Sequence, residues 1–89
     1  MPVCKRVIYS GMVQGVGFRY TARRIAQGYD VAGYVRNLRD GTVELVADGE
    51  AGEVERFLNA VASRMADYIR GRTIDDEIPG GYEDFVIRH

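Results

Sequence analysis

The chain has one cysteine and one histidine among its 89 residues, Cys4 and His89, and this scarcity excludes several classes of protein at once. A lone cysteine forms no internal disulfide. A reducing compartment is therefore the simpler expectation, with Cys4 a small buried hydrophobe inside the first apolar run. One histidine and one cysteine cannot make a usual zinc ligand set, so no metal is expected. No apolar run approaches the ~20 residues of a membrane span, and the first residues show neither the basic nor the apolar region of a secretory signal. A cytoplasmic protein with no membrane partner is expected. The 12 Lys and Arg residues nearly balance the 13 Asp and Glu, for a formal net charge of -1, so the global basic field of a nucleic-acid binder is missing. What remains, 46% hydrophobic and 28% charged residues, is the balance of a globular protein, long enough for one two-layer core. One domain over residues 1–89 is expected.

The chain is not short of glycine, and its glycines crowd where a β-like run gives way to a helical pattern: Ser10-Gly11-Met12-Val13-Gln14-Gly15-Val16-Gly17-Phe18-Arg19. Gly11, Gly15 and Gly17 can take positive φ and let several N–H groups converge on one anion. From Phe18 a helix adds its unpaired amides and its dipole. Arg19 stands in that first turn, where a cation works against the dipole by roughly 0.3–1 kcal/mol, so local helix design alone would not select it. Glycine spacing by itself fits equally well a plain turn followed by a helix with a solvated arginine. The stretch is neither a Walker loop nor a dinucleotide fingerprint, for want of Gly-Lys-Ser/Thr in the one case and of a correctly spaced third glycine in the other.

Periodicity predicts the elements in order. Val3 to Tyr9 reads as a strand. Apolar positions 18, 22, 25, 26 and 29 form one helical stripe, which Gly28 is expected to stop. Val31 to Leu38 alternates, with Val31, Gly33, Val35 and Asn37 on one face. After the turn signal Arg39-Asp40-Gly41, the run Thr42 to Ala47 alternates again, so a hairpin is expected. Beyond Asp48-Gly49 a second helical stripe runs through Ala51, Val54, Phe57, Leu58, Val61 and Met65, with Glu50, Glu53 and Glu55 placed early, where the dipole favours acids. Tyr68 to Ile78 suits a strand of undefined register, Pro79-Gly80-Gly81 a turn, and Phe85-Val86-Ile87 a short last strand.

The order βαββαβ is the split-βαβ pattern of α+β proteins: a ferredoxin-like two-layer α/β sandwich, an antiparallel sheet with both helices on one face. In that arrangement the first two strands run parallel with the third between them, so their C-terminal ends meet at one edge and Asn37 approaches the glycine loop. Asn37 also shares a face with Val31 and Val35, on the helix side. Alone it reads more readily as a strand-ending turn residue; its position and parity together reverse that reading. Together, the loop, an arginine able to fork onto phosphate oxygens and a neutral amide able to hold a water form a site without a nucleophile or strong base. Such tools suit a phosphate compound that is already reactive, such as a carboxylic–phosphoric mixed anhydride.

Gly11-Met-Val-Gln14-Gly15-Val16-Gly17-Phe18-Arg19, followed by Gly33-Tyr-Val35-Arg-Asn37 and Asp40-Gly41-Thr42-Val43, resembles the acylphosphatase family across nearly the whole chain. The resemblance implies cofactor-free, metal-independent hydrolysis of an acyl phosphate to a carboxylate and inorganic phosphate. It places the phosphate loop on Gln14, Gly15, Val16, Gly17, Phe18 and Arg19, the phosphate-binding arginine on Arg19 and the water-orienting residue on Asn37. It also implies a short extra C-terminal strand at Phe85 to Arg88. A small acyl phosphate is the expected partner, with phosphate or sulfate as a competing anion, no nucleic acid, and a monomeric enzyme. The alternatives are a regulatory ligand-binding domain, a domain specialised for carbamoyl phosphate, and a nucleic-acid module. The last is weakened because Thr42 to Ala47 offers no aromatic side chain on which a base could stack.

Overall fold

The computed structural model describes Met1 to His89. Five strands and two helices follow one another as β1 (Pro2–Gly11), α1 (Phe18–Ala26), β2 (Val31–Asn37), β3 (Val43–Glu50), α2 (Ala51–Arg64), β4 (Ile69–Glu77) and β5 (Phe85–Ile87). The strands lie in the order β4-β1-β3-β2-β5. β3 pairs antiparallel with both β1 and β2, so β1 and β2 run parallel to each other and their ends meet at one edge of the sheet. β5 joins β2 in parallel, which makes the sheet mixed at its outer edge and antiparallel elsewhere.

The period-two pattern decides which face the helices cover. Val7 and Tyr9 of β1, Val35 of β2 and Val43, Leu45 and Ala47 of β3 share one buried cluster with Phe18, Ala22 and Ala26 of α1 and Val54, Phe57, Leu58 and Val61 of α2. Burying a side chain such as Phe57 or Leu45 contributes roughly 1.5–3 kcal/mol, so this layer dominates stability. Tyr9 and Phe18 meet within it, ring centres 4.9 Å apart, tying the start of α1 to the sheet.

The other face holds a polar knot that alternation alone does not announce. Glu44 is only 2% exposed. Its Oε2 accepts from Arg6 Nε at 2.6 Å, and its Oε1 accepts from Arg36 Nε at 2.6 Å and from the Tyr34 hydroxyl at 2.8 Å. Burial pushes the Glu44 carboxyl up, but the bonds from Tyr34, Arg6 and Arg36 outweigh burial and hold it below the ordinary carboxylate value. Cys4 lies buried and free on the same face beside Tyr34 and Val46, its thiol pushed up to about 11 by burial and then by the nearby Asp48 and Glu77 charges.

The structure moves several expected boundaries. α1 ends at Ala26, just before the expected stop at Gly28, but Gly28 is not a left-handed cap: Gln27, Gly28 and Tyr29 donate back three residues to Arg24, Ile25 and Ala26, so the chain leaves the helix through a tightened turn. Asp48-Gly49 is not a turn. Both belong to β3, where Gly49 is required because a Cβ would lie 2.7 Å from the Asp30 carbonyl oxygen. Glu50 is the N-cap of α2, its carboxylate accepting from the Gly52 and Glu53 amides. β4 gains a register, Tyr9 against Arg72 and Gly11 against Ile69, with a bulge at Ser10/Gly11. Its pattern is weak because it is an edge strand exposed over most of its length.

β4 and β5 occupy opposite edges, four strand spacings or about 19 Å apart, so residues 78–84 must cross the sheet nearly extended rather than turn tightly. Asp48 holds this crossing through the Gly80 and Gly81 amides at 2.7 and 3.2 Å, and Tyr82 packs against Tyr34. The crossing delivers β5 parallel to β2, pointing its last residues toward the edge where β1 and β2 end.

Candidate active site

The loop between β1 and α1 has the backbone that its glycines allow. Gly11, Gly15 and Gly17 have φ of 118°, 78° and 75°. Added Cβ atoms at Gly15 and Gly17 would meet nothing within 4 Å, so at these two positions backbone conformation is the sole requirement for glycine. At Gly11 space matters as well, because a Cβ would stand 2.4 Å from the Tyr68 carbonyl oxygen.

Gly17 is the N-cap of α1, in the left-handed region, and supplies no side-chain acceptor; the first turn has no acid. The amides from Gly15 to Tyr20 donate to no protein acceptor, whereas α2 is capped by Glu50 and carries Glu53 in its first turn. An uncapped helix start preceded by two left-handed glycines leaves convergent donors and a positive dipole end open to an anion.

Those donors line a cavity of about 280 Å³ bounded by Val13, Gly15, Gly17, Phe18, Arg19, Tyr20, Asn37, Ile87 and His89. The structure thus brings Gly15, Gly17, Phe18, Arg19 and Asn37 together. Asn37 arrives as the last residue of β2, paired with Val43, on the side where α1 begins. Arg19 is half-buried and makes no ion pair with a carboxylate; its Nη1 donates to the Arg88 carbonyl at 3.4 Å and lies 3.2 Å from His89 Nδ1. No acidic side chain lines the cavity. The charge on Arg19 is therefore available to a ligand. Larger hollows of about 490 Å³ lie beside the end of α1 and between α2 and β1, but neither is lined by an uncapped helix start.

Three of the expected phosphate-loop residues do other work with their side chains. Phe18 is 2% exposed and belongs to the core, so only its amide can face an anion. Val16 packs partly buried against the same core. Gln14 turns away from the cavity, and its Nε2 donates to the Leu38 and Thr42 carbonyls at 2.8 and 2.9 Å, fastening the glycine loop to the β2–β3 hairpin just beyond Asn37. His89, whose part in the cavity periodicity did not reveal, is carried there by β5. Its signal lies in the chain's single histidine following a short strand, but only the parallel pairing of that strand with β2 gives it a place.

What such a cavity can do is limited and definite: hold a tetrahedral anion by backbone amides and a guanidinium, with one neutral amide at its rim. Proteins with the same order of elements are known. The family model described as Acylphosphatase matches residues 5–87. A protein named acylphosphatase from Thermotoga petrophila is 42% identical over 85 residues, covering 94% of each chain. Another of that name from Methanospirillum hungatei is 42% identical over 88 residues, covering 94% of this chain and 97% of its own. The crystal structure of acylphosphatase from Bacillus subtilis superposes with a TM-score of 0.87 at 30% identity, over 98% of this chain and 99% of that one. With a family match spanning nearly all its residues, and a fold and anion-ready loop that agree with it, the chain belongs to the acylphosphatase family and is an acylphosphatase enzyme.

Proposed function

We propose that the cavity beside Arg19 is the catalytic site, and that it hydrolyses the carboxyl–phosphate anhydride of a small acyl phosphate by direct attack of water on phosphorus. The observation that carries this reading is the run of free amides from Gly15 to Tyr20 around a cavity that also holds Arg19 and Asn37. The amides and the Arg19 guanidinium bind the phosphoryl oxygens and neutralise their charge, which removes the need for a metal. Asn37 orients a water in line with the leaving carboxylate.

In the chemical step the water oxygen bonds to phosphorus while the bond from phosphorus to the acyl oxygen breaks. The carboxylate leaves with the electron pair, and the water proton passes to a phosphoryl oxygen. No covalent intermediate forms. A carboxylate is a good enough leaving group for positioning and charge stabilisation to suffice, in keeping with a cavity without any acidic side chain.

Hydrolysis of acetyl, benzoyl and carbamoyl phosphates, each measured with and without a chelator, tests the reading. Turnover of all three is expected, unaffected by the chelator and competitively inhibited by phosphate and sulfate. Turnover of carbamoyl phosphate alone would favour the specialised alternative. Binding without turnover, or activity that depends on added magnesium or zinc, would refute the proposal.

A further inference from the structure

β5 does more than close the sheet edge. In its parallel register with β2, Ile87 stands opposite Val35. The Arg88 amide then donates to the Val35 carbonyl at 2.9 Å, one residue beyond the strand. Two residues on from that pair lie Asn37 on one side and His89 on the other, and both line the cavity. The His89 ring is held there by neighbouring backbone pairing rather than by a long flexible connection.

The contact that His89 makes fixes its chemistry. Its Nδ1 lies 3.2 Å from Arg19 Nη1, and a guanidinium has donors only, so Nδ1 must be the acceptor and the neutral ring carries its proton on Nε2. Arg19 Nη1 is shared between this nitrogen and the Arg88 carbonyl. Nε and Nη2 remain free to fork onto two phosphoryl oxygens. Without the contact the arginine side chain would have to be ordered by each incoming substrate, at a cost in rotamer entropy.

We propose that His89 is a positioning residue of this site, holding the Arg19 guanidinium toward the cavity through Nδ1 before substrate arrives; this rests on the reading of Arg19 as the phosphate-binding residue. The charged side chains near the ring are Arg19 on α1 and Arg88 on its own segment, whose guanidinium carbon lies 4.1 Å from the centre of the Tyr34 ring on the opposite sheet face. β2 contributes the neutral Asn37 and the loop its glycine amides, so no acidic side chain of the cavity lining competes for Arg19.

Three variants separate the acceptor from the ring. His89→Phe keeps a ring and has no acceptor, His89→Ala has neither, and His89→Asn places Oδ1 close to where Nδ1 stands. Calorimetric titration with inorganic phosphate and steady-state kinetics with benzoyl phosphate are measured on each, after a thermal melt confirms folding. For the phenylalanine and alanine variants, the phosphate Kd and the KM should rise together by about three- to tenfold, the worth of one hydrogen bond, with kcat nearly unchanged because the contact orders Arg19 equally for ground and transition states. His89→Asn should restore both constants to within about twofold. Wild-type phosphate affinity in the phenylalanine variant, or affinity in His89→Asn as weak as in His89→Ala, would overturn the proposal. A wild type that binds phosphate yet hydrolyses no acyl phosphate would refute the proposed function instead, and the phosphate titrations would still decide the role of His89.

Discussion

Replacing Gly15 by alanine isolates the backbone of the anion loop from every other property of the site. At φ 78° an L-residue is disfavoured by roughly 1–2 kcal/mol, and an added Cβ here meets no atom within 4 Å, so this backbone penalty is the whole expected cost. The loop can respond in two ways. It keeps its conformation and stability falls, by about 4–16 °C in melting temperature at the ~4–8 °C per kcal/mol of a domain this size. Otherwise it relaxes toward negative φ, the melt recovers, and the amides no longer converge. In either case the phosphate-bound state lies ~1–2 kcal/mol higher than in the wild type, because binding restores the left-handed conformation or is lost in part. The assay is therefore a pair of thermal melts, without phosphate and with saturating phosphate, together with the phosphate Kd. Gly33→Ala is the contrasting variant: at φ 137° its Cβ would stand 1.9 Å from the Val46 carbonyl oxygen, so β2 and β3 cannot stay paired and the protein should not fold stably. A Gly15→Ala protein with wild-type melts in both conditions and wild-type phosphate affinity would refute the anion-loop reasoning.

The remaining expectations concern single side chains. Arg19→Ala should weaken phosphate binding and turnover together by ~2–5 kcal/mol, whereas Asn37→Ala should lower kcat about a hundredfold and leave phosphate inhibition near normal; steady-state kinetics with phosphate as inhibitor separate the two roles. Glu44→Gln should destabilise the fold, because Arg6 and Arg36 lose the carboxylate between them. The same carboxylate sets a pH dependence: its folded value lies below the ordinary 4.5, so its contribution is fully present above that value and is lost as pH falls through the lower folded value. Denaturant melts across that acid range should show a loss of stability that Glu44→Gln lacks. Tyr9→Phe is the opposite case. The Tyr9 hydroxyl is buried with no hydrogen bond of full geometry and is pushed up to about 12 by burial, with the neighbouring Arg72 guanidinium working against that through its charge and hydrogen bonding, so its removal should cost less than the ~0.5–1.5 kcal/mol of a fully bonded hydroxyl. A larger loss would mean that the hydroxyl has a partner.

The sequence carried the fold where the signal is local or periodic. Alternation in Val31 to Leu38 correctly placed Val35 beneath the helices, and the element order put β1 and β2 parallel with Asn37 beside the glycine loop. Glu44 was not legible, because period two says only that it faces away from the helices. Its burial depends on Arg6 from β1 and Arg36 from β2, brought together by pairing. Asp48-Gly49 has turn chemistry, yet serves as a strand end that approaches Asp30 and anchors the 78–84 crossing. Of the site, the backbone was readable from the positions of Gly15 and Gly17, but the direction of the Gln14 side chain was not, since its acceptors, the Leu38 and Thr42 carbonyls, exist only once the hairpin is folded. His89 escaped for the same reason: its place depends on β5 lying at the far edge, parallel to β2.

The central claim is that water attacks phosphorus held by the Gly15 to Tyr20 amides and Arg19. Hydrolysis of benzoyl phosphate in ¹⁸O-labelled water under single-turnover conditions tests it most directly, with mass spectrometry of both products. Attack at phosphorus predicts one labelled oxygen in the inorganic phosphate and none in the benzoate. Label in the benzoate would show attack at the carbonyl carbon, and would contradict the account.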